Sequence, residues 1–119
     1  MGLDSYFGRF VNGTLEEDED IQWPEVNLTG GIMSGHGDGS FRGKVYEDMF
    51  AAMTGDTLYH AKQSSEWVQQ MSIAMIKFTA DEQRLELLTN EWHDKDHILG
   101  FVAMFACAAH NNLEYVGWW

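Results

Sequence analysis

From residue 43 onward, apolar side chains recur at helical spacing, and the periodicity predicts four helices. In the first, Val45, Tyr46, Met49, Phe50 and Met53 share one stripe; Lys44, Glu47 and Asp48 lie off it, and Gly55 is a natural stop. The second is expected over about Ser65 to Phe78, with Trp67, Met71, Ala74, Met75 and Phe78 on one face. Ile73 and Ile76 add apolar character elsewhere, which predicts burial on more than one side. The third opens with Thr79-Ala80-Asp81-Glu82, a capping-box pattern, and turns Leu85, Leu88 and Trp92 inward. The fourth, about Asp96 to Asn111, is apolar almost all round and belongs at the centre. Short links between the last three favour antiparallel neighbours.

The first 42 residues follow a different pattern. They hold eight of the twelve glycines, the only proline (Pro24) and the run Glu16-Glu17-Asp18-Glu19-Asp20. A stretch of this length is too short to be a separate domain without a metal or disulfides. It reads as an extended, loop-rich segment packed on the helical part 43–119, within one domain spanning 1–119. Tyr6, Phe7, Phe10 and Val11 suggest a strand ending at the Asn12-Gly13 turn, and Val26 to Leu28 a weaker one. Residues Leu113 to Trp119 are β-type as well, so the two ends of the chain can pair. The expected fold class is mainly α (α+β): about four helices around one core, a Gly-rich N-terminal segment and a small two-stranded terminal sheet.

Composition agrees with such a fold. At 119 residues and 45% hydrophobic content, the chain should bury roughly 65% of its unfolded surface. Five Trp, seven Phe and seven Met supply large, adaptable surfaces for a core or an interface. Charge narrows the partners: 7 basic against 19 acidic residues give −12, which repels phosphate backbones and anionic membranes. The longest apolar run, Ile98 to Ala109, is twelve residues, short of the roughly 20 that span a bilayer. One cysteine, Cys107, gives no internal disulfide, and Met1-Gly2-Leu3-Asp4 has no secretory n-region, so a cytoplasmic location is expected.

Candidate chemistry is incomplete wherever it arises. The stretch Gly30 to Lys44 ends in Gly-Lys before a helix, as a phosphate loop does. Asp38 stands where that motif needs glycine and Val45 where it needs Ser or Thr. Arg42 breaks the dinucleotide spacing begun by Gly37 and Gly39, and Val45 replaces the last ligand of an EF-hand. What remains is a turned loop, or a small-anion site made by backbone amides at Gly37 and Gly39 with Arg42 and Lys44. His93 and His97, four apart with Asp94 beside them, are candidate ligands for a divalent transition metal if one helix carries both. Asp94 or Asp96 is equally a good N-cap, which would break the helix and point the imidazoles apart. Cys107 lies in an apolar run, where a thiol is an inert hydrophobe of raised pKa, although His110 follows at helical spacing.

Met1-Gly2-Leu3-Asp4-Ser5-Tyr6-Phe7 and Ser40-Phe41-Arg42-Gly43-Lys44-Val45-Tyr46 resemble segments of small uncharacterised proteins of phages and marine bacteria. The resemblance covers only a small part of the chain and implies no activity. With no catalytic constellation complete, the leading expectation is a non-catalytic acidic accessory protein that binds a basic protein partner. Its acidic run Glu16, Glu17, Asp18, Glu19 and Asp20 is the candidate contact surface, and Trp118-Trp119 suggests homo-oligomers. A metal-dependent protein using His93 and His97, and a small-anion binder at residues 35–44, are the alternatives.

Overall fold

The structure, a computed structural model, describes residues 2–12, 14–16, 21–24 and 40–119. In chain order the elements are β1 (Asp4–Val11), β2 (Thr14–Glu16), β3 (Ser40–Arg42), α1 (Gly43–Thr54), β4 (Lys62–Gln63), α2 (Ser65–Ala80), α3 (Glu82–Leu88), α4 (Lys95–His110) and β5 (Glu114–Trp118). The protein is α+β.

The strands make one antiparallel sheet with β1 inside it. β5 runs along one side of β1, pairing Asp4 with Trp118 through to Gly8 with Glu114. β3 takes the start of the opposite edge and β2 its end, after a turn whose Asn12 adopts the left-handed φ of 54° that asparagine tolerates. β4 adds to the free side of β5. The terminal segments thus pair, but in a five-stranded sheet rather than a two-stranded one. Strands of two or three residues carry too little alternation to be visible in sequence.

Alternation along β1 and β5 turns Ser5, Phe7, Tyr115 and Gly117 toward the helices. There they meet Phe41, Phe50, Trp67, Phe101 and Phe105 in an aromatic core. α4 supplies its centre through Ile98, Phe101, Met104 and Phe105, packing against α2 and α3. The buried Tyr115 hydroxyl donates to the Leu58 carbonyl at 2.6 Å and shares a 2.7 Å hydrogen bond with Ser5 Oγ. One phenol therefore joins β1, β5 and the α1–β4 loop, and burial pushes its pKa far above the ordinary tyrosine value.

Two carboxylates fix that same loop. Glu47 Oε1 and Oε2 accept from Thr57 Oγ1 at 2.9 and 2.8 Å, and Oε1 also accepts from the Leu58 amide at 3.1 Å. Asp56 accepts from the Trp67 indole at 3.0 Å and lies 2.9 Å from His60 Nε2. The His60 hydrogen bond, helped by Trp67 and Thr57, holds the Asp56 carboxyl below the usual carboxylate range against the opposing effect of burial. These contacts are tertiary, and no sequence window displays them.

Three sequence expectations change. Thr79 does not open α3; α2 runs on to Ala80, so the Thr79 hydroxyl bonds back to the Met75 carbonyl at 2.9 Å. Asp81 is the N-cap instead, accepting from the Gln83 and Arg84 amides. Ile73 and Ile76 are exposed, so α2 is buried on one face only. Trp92 lies beyond the end of α3 and is exposed, not inward. Among the described residues, no helix is long and apolar enough to cross a membrane.

Candidate functional site

A cleft of about 670 Å³ lies between α1 and the segment joining α3 to α4. α1 contributes Val45, Asp48 and Met49 from the edge of its apolar stripe. The last turn of α3 contributes Leu87 and Leu88, and the following loop Asn90, Trp92 and His93. The loop is held by its own side chains. Asn90 Oδ1 accepts from the Trp92 and His93 amides at 2.8 and 2.9 Å, and the Asn90 amide donates to the His93 carbonyl at 3.0 Å. That turn ends α3 and leaves Trp92 78% exposed, beside Leu87 at 83%.

Behind the cleft stands an imidazole–phenol stack. Asp94 caps α4, accepting from the His97 amide at 2.8 Å, so His93 precedes the helix and His97 lies in its first turn. The break does not part the two rings as the capping argument expected: their centroids are 4.7 Å apart. Tyr46 brings them together. Its hydroxyl is 2.7 Å from His97 Nε2, its ring stacks on Phe101 at 4.7 Å, and the His93 ring is 5.6 Å away. With His97 neutral and its proton on Nδ1, the phenol donates to Nε2. His93 is 9% exposed and its buried Nδ1 has no hydrogen-bond partner.

Burial, followed by the neighbouring His93, pushes the His97 pKa below its ordinary value, while Asp94 pulls the other way. The folded protein thus holds this proton less tightly than the unfolded chain, so stability falls as pH drops through and below the ordinary imidazole range. Denaturant unfolding from about pH 7 down to about pH 5 should show that loss. His97→Asn, which does not titrate there, should flatten it; an unchanged slope would assign the effect to other groups.

The remaining sequence candidates do not converge. His93, His97 and Asp94 are neighbours, but Asp94 is engaged as a cap, and among the described residues no three His, Cys, Asp or Glu side chains group as a metal site. Arg42 is the residue before α1 and Lys44 is exposed in its first turn, where the Lys44 amide already donates to the Leu3 carbonyl at 3.4 Å. Gly37 and Gly39 lie outside the described residues, as do Val26 to Leu28 and Glu17, Asp18, Glu19 and Asp20; Glu16 ends β2. Cys107 contacts the Gln22 carbonyl at 3.5 Å and burial pushes its thiol pKa up. His110 is exposed, as are Trp118 and Trp119.

Sequence reasoning missed Asp48, Leu87 and Asn90 as cleft residues. A signal was present: Leu87 and Leu88 are adjacent, so a short helix cannot turn both to the core, and Thr89-Asn90 is a helix-ending pair. Comparison of the chain with protein-family models, with curated proteins and with solved structures finds no match.

Proposed function

We propose that the protein is a non-catalytic interaction module that docks a basic partner protein in the cleft between α1 and the α3–α4 loop. The observation that carries this is the exposure of Leu87 and Trp92 at the mouth of a preformed concavity. Large apolar side chains on rigid backbone beside a pocket are how interfaces concentrate their affinity, with tryptophan foremost among anchors.

Charge selects the occupant. The chain carries −12 overall, and residues 81 to 96 hold six acidic against two basic side chains. A second copy would bring the same sign to the same place, whereas a basic segment is attracted and steered. The acidic run from Glu16 to Asp20 accounts for five of the chain's 19 acidic residues.

Peptides selected from a random library against the folded protein test this. Those that bind should be enriched in Lys or Arg beside large apolar residues. Their affinity should fall about 30-fold on Trp92→Ser, the loss typical of a hot-spot residue, with the melting temperature unchanged because Trp92 is exposed. Peptides insensitive to Trp92→Ser and Leu87→Ser would overturn the reading. So would a concentration-dependent dimer, in analytical ultracentrifugation, that the same substitutions abolish.

A further inference from the structure

Resting on that reading, the cleft's lining points to the chemistry of the anchor. We infer that the cleft is a receptor for a lysine or arginine side chain, whose stem lies on Val45, Met49 and Leu88 and whose cationic head meets Asp48.

Asp48 is the only carboxylate among the lining residues, and it makes no ion pair or hydrogen bond among the described residues. It sits one turn along α1 from the exposed Lys44, and apart from Asn90 the other lining side chains are aliphatic, thioether or aromatic. A wholly apolar anchor would desolvate this carboxylate without compensation, which opposes binding. A long cationic side chain does not: its methylenes cover apolar surface while the head keeps a charge partner.

Two further features match such a head. The exposed Trp92 ring offers the electron-rich face that attracts ammonium and guanidinium groups. His93, nine-tenths buried in the same lining, holds the unpartnered Nδ1. A guanidinium has more N–H donors than one carboxylate can take, and an unprotonated His93 Nδ1 is a further acceptor on a residue of the same lining. The cleft therefore combines an exposed carboxylate with no protein partner among the described residues, an unpartnered imidazole nitrogen and an aromatic face, the complement of a basic side chain.

The probes are arginine methyl ester and norleucine methyl ester, which share the same backbone amine and differ in the head of the side chain. Each is titrated into the folded, isotope-labelled protein while the amides of residues 45–49 and 87–93 and the Trp92 indole are followed by NMR. Arginine ester should shift these signals and bind about fivefold more tightly than norleucine ester, as an exposed cation–π contact or ion pair allows. Asp48→Asn should remove that preference without changing the melting temperature. Equal or tighter binding of norleucine ester in the cleft would overturn the inference while leaving the docking surface standing. Shifts outside the cleft that ignore Asp48→Asn would mark general attraction to an acidic protein and also overturn it. No cleft shift from either ester overturns it as well; library peptides that still depend on Trp92 would then preserve the docking reading, and their absence would remove both.

Discussion

Gly117→Ala is expected to destabilise the protein by about 3 kcal/mol or more, lowering the melting temperature by roughly 10 °C. Gly117 lies in β5 opposite Ser5, and its amide donates to the His60 carbonyl at 3.0 Å. A methyl group there would stand 2.6 Å from that carbonyl oxygen and 3.0 Å from the Leu58 carbonyl oxygen. Both are backbone atoms, which cannot rotate aside as a side chain does. The Leu58 oxygen also accepts from the Tyr115 hydroxyl, and Glu47 holds the Leu58 amide from the other side. Moving the loop away therefore breaks several hydrogen bonds at once, the buried one from Tyr115 among them. Gly55→Ala is the control. Gly55 caps α1 with a left-handed φ of 76° and has nothing within 4 Å of an added Cβ, so only backbone strain of about 1 kcal/mol is expected. Thermal melts that rank the two equally would show that the loop yields to Gly117→Ala.

Phe105→Ala should have an effect of similar or greater size, about 3–5 kcal/mol. The Phe105 ring is fully buried and meets Phe7, Phe41, Phe50, Trp67 and Phe101. These neighbours come from β1, β3, α1, α2 and α4, so one ring touches every layer of the core. Collapse around the vacated space would need rings on several elements to move together, which close packing resists. Urea unfolding should show a lower midpoint with an unchanged slope. A loss below about 1.5 kcal/mol would mean that the core repacks readily.

How much of this was legible in sequence follows from the range over which each feature is encoded. α1, α2 and α4 carry several turns of periodic apolar residues, and their observed limits lie close to the expected ones. The strand-forming character of the two terminal segments was visible too. β3 and β4 were not, because two or three residues hold no period. α3 was extended too far, since Trp92 continues the apolar spacing while Thr89 and Asn90 end the helix through side-chain hydrogen bonds. The spacing of His93 and His97 marked two neighbours, but Tyr46, from another helix, is what determines their relation. Asp48 reads as solvent-facing in the sequence and is exposed in the structure; its interest depends on sharing a cleft with Leu88 and Trp92, which only the tertiary fold decides.

The place of β1 inside the sheet also sets a timetable. Its partner β5 lies more than a hundred residues later, as the 110-residue separation of Ser5 and Tyr115 shows. The helices rest on contacts between near neighbours and form quickly, whereas this pairing must close a loop of more than a hundred residues. During synthesis β1 waits with one hydrogen-bonding edge open and Phe7 uncovered until residue 114 and beyond have emerged. A stalled or C-terminally clipped chain would keep that edge open, and with it a route to aggregation through strand pairing between molecules.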